Sequence, residues 1–239
     1  MENLNKKIIL GHGDKGGVGK SVLIALCVDY LLGQGPVCVV EGDSKIDDIA
    51  ARFGGIDGVI GIGADLYRPD KSEEAIIGVF DALEKSGLPD TVVINTPANA
   101  SATLDKQARV FIDAAHDLGY EVRVGWMVGP DADSAALSAS SALCALADRK
   151  VAVVNARLGD PSKFLWARHK ARTSWIESGG LEAVLPQLTD TAMNAVRENM
   201  GRYTDLSEPG SPLSTITRKY VKDWCRKAFE GPVGMLLDD

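Results

Sequence analysis

The residues with the clearest chemical potential lie near the start of the chain, in the stretch DKGGVGKS at positions 14–21. Its three glycines allow the backbone to curl so that successive N–H groups point inward. A helix that begins near Gly19 adds the positive end of its dipole, and Lys20 adds a full positive charge. The spacing is that of a phosphate-binding loop, except that Asp14 takes the place of the first glycine. These residue types predict an anion cradle.

A nucleotide with Mg²⁺ is the ligand that this pattern favours. Lys20 is placed to reach the β- and γ-phosphates, and Ser21 is placed to bind the metal. The alternative is a glycine-rich turn with a chance GKS, but an apolar strand precedes the loop and an apolar-periodic helix follows it. The loop residues predicted to bind nucleotide are Asp14, Lys15, Gly16, Gly17, Val18, Gly19, Lys20, Ser21 and Val22.

Lys15 narrows the kind of phosphate-binding loop that the sequence predicts. The string KGGVGKS resembles the deviant Walker A loop of the ParA/MinD family of P-loop ATPases. In that family the extra lysine reaches across a nucleotide-sandwiched dimer to the partner's phosphates. The resemblance implies an ATP-dependent homodimer in which Lys15 and Lys20 both act on the phosphates, because a cation that arrives on dimerisation links nucleotide state to assembly. A solvent-facing lysine is the alternative.

The resemblance also gives roles to two strand ends. In VVEGDSK, Asp43 takes the position of the family's acid that orients the attacking water or holds a metal-bound water, although it could instead cap the next helix. In TVVINTPAN, Asn95 stands where the family usually has Asp. An amide can hydrogen-bond a metal water but carries no charge, so we predict slow ATP hydrolysis and expect Asn95→Asp to raise turnover. The predicted metal site is Ser21, Asp43 and, through water, Asn95.

Asn155 ends the later strand VAVVN. In the family an Asn here commonly reads the adenine edge. A guanine reader would be expected as NKxD, and Leu158 stands at that Asp position, so ATP is favoured over GTP. The alternative for Asn155 is a strand-terminal turn residue.

Short apolar runs alternate with helix-like segments along the chain. Strands are predicted at 7–12, 37–41, 91–95, 121–128 and 151–155, with a weaker one at 182–186 and a short edge strand within 53–65. Helices are predicted at 19–33, 45–53, 71–87, 104–118, 132–147, 161–177, 190–200 and 213–229. This alternation predicts a three-layer α/β fold with a doubly wound, mostly parallel sheet. We expect one P-loop NTPase domain over 1–239, with the C-terminal helices of 190–229 packed on the core.

Composition restricts the class of protein. With 239 residues, 45% apolar residues and a net charge of −7, the chain is typical of a globular protein and not of a uniformly basic nucleic-acid binder. Its four cysteines are scattered, so we expect a reducing cytoplasm. The tail GPVGMLLDD is a poor membrane anchor because its apolar part is short and it ends in two acids. We expect no membrane binding.

The last predicted helix is a candidate DNA contact. Clustered cations could bind phosphates nonspecifically, although a solvated basic face is the alternative. The candidates are Arg218, Lys219, Lys222, Arg226 and Lys227. Apolar residues at helical spacing, among them Ile216, Tyr220 and Trp224, are expected to face the core.

Together these features predict an ATP-binding, dimerising switch of ParA/MinD type with a partner protein, acting in plasmid partition or in conjugal DNA transfer. Layout resembles the TraL-type and mobilisation-type members most. Two alternatives stay open at this point. One is a nucleotide-binding scaffold that hydrolyses little or nothing, and the other is a relative that handles a small molecule or a metal.

Overall fold

The computed structural model describes residues 6–13, 15–42 and 48–238. Within these ranges seven strands form one sheet in the order β3-β2-β4-β1-β5-β6-β7, and every neighbouring pair is parallel. The strands are β1 (Lys6–His12), β2 (Val37–Glu41), β3 (Val59–Gly63), β4 (Thr91–Asn95), β5 (Tyr120–Val128), β6 (Arg149–Asn155) and β7 (Leu181–Leu185).

Helices cover both faces of this sheet. They are α1 (Lys20–Leu32), α2 (Asp48–Phe53), α3 (Ser72–Lys85), α4 (Ser101–Leu104), α5 (Ala108–Asp117), α6 (Ala132–Ser140), α7 (Ala142–Leu146), α8 (Lys170–Glu177), α9 (Asp190–Arg197), α10 (Tyr203–Leu206), α11 (Thr215–Ala228) and α12 (Gly234–Leu237). One apolar core lies between the sheet and α1, α2 and α9 to α12. A second lies between the opposite face and α3 to α8. The predicted three-layer, doubly wound α/β fold is confirmed.

The inner strands owe their place to the apolar runs seen in the sequence. Strand β1 sits between β4 and β5, and its central residues Ile8, Ile9 and Leu10 are fully buried. A strand that is covered on both faces needs no polar alternation, and burial of apolar side chains on both sides is what stabilises it. Strand β3 lies at one edge, as the glycine-rich segment predicted.

Three predicted helices are interrupted in the structure. The prediction of one helix over 132–147 is wrong, because Ser141 adopts an extended conformation between α6 and α7, where its side chain caps α7 by accepting from Cys144 N. The segment 161–177 contains short 3₁₀ turns and becomes α-helical only at α8, after an extended His169. In the segment 104–118, Leu104 ends the preceding helix α4, and the next helix, α5, starts only at Ala108. At Ser141 and His169, the hydroxyl and imidazole caps offer the backbone a local alternative to continued helix.

The C-terminal segment forms part of the core. Leu236 and Leu237 of α12 are buried. The buried guanidinium of Arg123 on β5 donates to the carbonyl oxygens of Leu236 and Leu237 at 3.2 and 2.7 Å, and Lys7 Nζ donates to Leu237 O at 3.1 Å. The apolar residues Leu236 and Leu237 of the tail are therefore packed in the core of this molecule.

Fewer residues of helix α11 face the core than its sequence predicts. Trp224 is buried, but Ile216 and Tyr220 are 63% and 52% exposed, so their predicted burial is wrong. The buried positions are Val221, Trp224, Cys225 and Ala228. This stripe follows the i, i+3, i+4, i+7 pattern of one helix face, and Ile216 and Tyr220 lie outside it.

Candidate functional site

The carboxyl ends of β1, β2 and β4 lie side by side, because these strands are neighbours in the sheet. In a doubly wound sheet this edge is where ligands bind. A cleft of about 730 Å³ opens here. Its lining combines loop residues, the ends of β2 and β4, and side chains of α1, α2 and α9. Predicted site residues that line it are Gly16, Gly17, Gly19, Lys20, Ser21, Val22 and Asn95.

Gly19 joins the loop to α1 in a conformation that glycine favours. It is the N-cap of α1 with φ +105°, a left-handed value that other L-residues rarely adopt. A Cβ there would also lie 2.5 Å from Asn155 Nδ2. The first helical bond runs from Leu23 N to Gly19 O, so the N–H groups of Ser21 and Val22 precede the hydrogen-bonded ladder. The helix therefore starts where the anion cradle requires it.

Asn155 holds this loop from the end of β6. Its Nδ2 donates to Val18 O at 2.8 Å, and its Oδ1 accepts from Arg157 N at 3.0 Å. The second contact is the strand-end turn that the sequence left as an alternative. In the part of the chain that the structure describes, Asn155 is not among the residues that line the cleft. Adenine reading by Asn155 stays a prediction.

Lys20 lies folded over its own loop. Its Nζ donates to Gly13 O at 2.9 Å and to Lys15 O at 2.7 Å, and the side chain is buried. Carbonyl oxygens satisfy an ammonium group only with partial charges, so a phosphate would be a stronger partner. The same side chain can thus stabilise the loop and remain in reach of an anion in the cleft.

Lys15 points to α6. Its Nζ lies 2.8 Å from Asp131 Oδ1 and 3.4 Å from Asp133 Oδ2. The hydrogen bond to Asp131 raises the pKa of Lys15, and in return Lys15 lowers the pKa of Asp131. Asp131 is fixed because it also caps α6 by accepting from Ser134 N at 3.0 Å. In this conformation Lys15 is neutralised within its own chain.

Two buried polar side chains end β2 and β4 opposite one another. Glu41 and Asn95 are register partners, and Asn95 Nδ2 donates a hydrogen bond to Glu41 Oε1. Burial raises the pKa of Glu41. Beside them, Thr96 Oγ1 donates to Gly11 O at 2.6 Å and so ties the end of β4 to the end of β1.

His12, the last residue of β1, is fully buried against the edge of Trp126. Among the described residues neither ring nitrogen has a hydrogen-bond partner. Burial, with a smaller contribution from Lys20, lowers the pKa of His12 to about 3. The imidazole next to the loop is therefore neutral at physiological pH.

The residues present fit a magnesium nucleotide. Asn95 Oδ1 is a buried oxygen with no partner among the described residues, and it belongs to a side chain that lines the cleft with Lys20 and Ser21. Such an oxygen is what a metal-bound water would satisfy. Asp14 and Asp43, which the sequence placed in the nucleotide and metal sites, lie outside the described residues.

Four of the five candidate cations of α11 contact neighbouring groups in this molecule. Lys222 Nζ lies 2.8 Å from Glu208, and Arg226 and Lys227 lie 2.8 and 2.7 Å from Asp223. Arg218 donates to Leu213 O at 3.1 Å. These pairs match the alternative of a solvated face, since exposed pairs of this kind are common on helix surfaces. DNA contact by α11, including Lys219, stays a prediction.

Three features of the site had weak signals in the sequence. Glu41 was visible only as the first acid of the Glu-Gly-Asp pattern. The acids Asp131 and Asp133 follow β5 but nothing local ties them to Lys15. Arg52 lines the cleft from α2 and is buried, yet in sequence it resembles any surface arginine.

The fold and the site define a three-layer α/β protein with a glycine-rich loop between its first strand and first helix. No protein-family model matches the chain. It is similar to Protein MobD of Acidithiobacillus ferrooxidans, with 27% identity over 235 residues that span 95% of this chain and 98% of that protein.

Solved structures with a related layout include two from Aquifex aeolicus. The MinC:MinD cell division protein complex aligns with a TM-score of 0.47 and 15% identity, over 94% of this chain and 96% of that one. The MinD cell division protein aligns with a TM-score of 0.47 and 13% identity, over 94% and 97%. Across the described ranges, no helix is both long and apolar enough to span a membrane.

Proposed function

We propose that this chain binds ATP with Mg²⁺ and is a nucleotide-dependent dimerising switch of the ParA/MinD type with slow ATP hydrolysis. The observation that carries the proposal is the loop itself. A strand, a glycine-rich turn with a left-handed Gly19, Lys20 and the start of α1 converge on one cleft. The donors present there are those that a polyphosphate needs.

The dimer follows from Lys15. A lysine next to the cradle, held by two exposed acids of its own chain, has the length and charge to reach phosphates that another copy brings close. Mobilisation-type DNA transfer is the process we favour, on the layout of the sequence. A homodimer, a partner protein and nonspecific DNA contact are part of the same proposal.

The test is the molar mass in solution by light scattering, without nucleotide, with ADP–Mg²⁺ and with ATP–Mg²⁺, beside phosphate release in the same samples. We expect dimers with ATP alone and slow release. Lys20→Ala should abolish nucleotide binding. Lys15→Ala should leave binding by the monomer largely intact and remove the ATP-driven dimer.

Lys71→Ala is the matched control, because Lys71 has similar exposure to Lys15 and also pairs with an acid, Glu74, at 3.0 Å. It should dimerise like the wild type. A monomer in every nucleotide state, or a Lys15→Ala protein that dimerises normally with ATP, would refute the switch. Failure of the wild type to bind ATP would refute the nucleotide site as well.

A weakly hydrolysing or non-hydrolysing scaffold is the second candidate. It is favoured by the amide of Asn95 at a position where a carboxylate would act on the metal. Tight ATP binding with dimerisation but no measurable phosphate release would select it.

A further inference from the structure

Glu41 is a buried carboxylate at the C-terminal end of β2. Glu41 is 4% exposed, and both of its carboxylate oxygens accept hydrogen bonds. Oε1 accepts from Asn95 Nδ2, and Oε2 accepts from Ile49 N at 3.1 Å and Ala50 N at 3.4 Å in the first turn of α2. These three N–H donors oppose the rise in the pKa of Glu41 that its burial causes.

This contact decides which way the Asn95 amide faces. Both carboxylate oxygens of Glu41 accept hydrogen bonds here, and the amide nitrogen of Asn95 is the atom that lies against Oε1. The amide oxygen then points away from Glu41. It is this oxygen that is buried and without a partner among the described residues, in a side chain that lines the cleft beside Ser21.

We propose that Glu41 adds a negative charge to the magnesium site and acts through Asn95. The two side chains form one unit with a single negative charge, in which Glu41 is the positioning residue and Asn95 presents the oxygen to a metal-bound water. The hydrogen bond polarises the amide and so strengthens its oxygen as an acceptor. The charge also acts directly on the site, because buried charges are poorly screened. This inference rests on the proposed magnesium–nucleotide function.

The contact between Glu41 and Asn95 reverses the effect that we expect of Asn95→Asp. A carboxylate at position 95 would face the carboxylate of Glu41, and two adjacent buried carboxylates cannot both stay ionised. The single variant should therefore lose function, where the sequence alone predicted a gain. Combining it with Glu41→Gln restores one charge, because the glutamine amide can donate to the new carboxylate. Each substitution keeps the side-chain volume, so no cavity is introduced.

The test compares the wild type, Glu41→Gln, Asn95→Asp and the double variant. Binding of a fluorescent ADP is measured in EDTA and across free Mg²⁺ concentrations, and Mn²⁺ bound to the ADP complex is counted by electron paramagnetic resonance. Each single variant should weaken the metal affinity of the ADP complex by about 10–100-fold, the range typical for groups that orient metal ligands. The double variant should return to within about threefold of the wild type. Glu73→Gln and Asn194→Asp, both at exposed positions, are the matched controls.

Unchanged metal affinity in Glu41→Gln, or a double variant weaker than either single one, would overturn the inference. ADP binding in EDTA separates the two proposals. A wild type that binds no ADP refutes the nucleotide function, whereas normal ADP binding without the expected loss in Glu41→Gln refutes only the role of Glu41. Thermal unfolding without nucleotide at pH 8 tests the contact itself. Asn95→Asp should melt below the wild type and the double variant should recover, and an unchanged melting temperature in Asn95→Asp would overturn the pairing.

Discussion

Arg52 offers the sharpest test of how the cleft is held together. Its Nη2 donates to Val196 O at 2.9 Å, and its Nη1 donates to Gly201 O at 2.9 Å and more weakly to Asn199 O at 3.4 Å. Its guanidinium carbon lies 4.6 Å from the ring centre of Tyr203. One buried side chain thus joins α2 to the C-terminal end of α9, across the wall of the cleft.

Arg52→Met removes these contacts and keeps most of the volume. The two bonds at 2.9 Å involve a charged donor and contribute about 1.5–3 kcal/mol each. The cation–π contact adds about 0.5–2 kcal/mol. Methionine regains some apolar packing, so we expect the free energy of unfolding to fall by about 3–5 kcal/mol. For a chain of this size, each kcal/mol lowers the melting temperature by about 2–4 °C, which gives a fall of about 6–20 °C.

The assay is thermal unfolding followed by circular dichroism. Arg197→Met is the matched control, because Arg197 lines the same cleft from α9 but is exposed. It should change stability by no more than about 0.5 kcal/mol. An Arg52→Met protein that melts within about 2 °C of the wild type would refute the reasoning that these carbonyl contacts hold α2 and α9 together.

Three further outcomes are expected. Asp131→Asn keeps the cap of α6 but weakens the hold on Lys15, so the ATP-dependent dimer should form at lower protein concentration by light scattering; an unchanged or weaker dimer would exclude the restraint. Gly11→Ala would place a Cβ 2.5 Å from Ile24 Cγ1, so chemical denaturation should show a loss of about 1–3 kcal/mol, and wild-type stability would contradict the close packing. Because the pKa of His12 is about 3 in the folded chain and about 6.5 when unfolded, its contribution to stability is complete above pH 6.5 and is lost as the pH falls toward 3. His12→Phe should flatten this acid loss, by up to about 1.4 kcal/mol per pH unit, in denaturant titrations at pH 7, 5 and 4; parallel curves would refute it.

The loop illustrates what could be predicted from neighbouring residues. The left-handed Gly19, the start of α1 and the exposed Gly17 follow from the order of residues within one short stretch, because backbone permissiveness and helix-end dipoles are local properties. Strands β1, β4 and β6 could also be predicted, because an unbroken apolar run indicates a buried parallel strand without knowledge of the strands beside it. The helix interruptions at Ser141 and His169 were missed, because a side-chain cap competes with helix propensity only where the surrounding packing leaves it in place.

Contacts between elements that lie far apart in the sequence could not be predicted from it. The acids that hold Lys15 lie at the start of α6, the carbonyls that bind Arg52 lie in α9 and just after it, and the carbonyls that bind Arg123 lie in the last helix. A single sequence contains no signal for contacts that depend on which strands become neighbours. Asn155 shows the same limit, because its amide could read a base or hold a loop, and only its distance to Val18 reveals the second use.

The sequence by itself determined the class of fold and the position of the glycine-rich loop before α1, since hydrophobic period, glycine placement and the GKS string act over a few residues. Only the tertiary structure decided what the charges do. Strand order placed Glu41 against Asn95, put Lys15 in reach of Asp131 and buried the C-terminal leucines against Arg123. The physical reason is that an ion pair or buried hydrogen bond depends on distances of a few ångströms between elements, and those distances are set by the packing of the whole sheet and its helices.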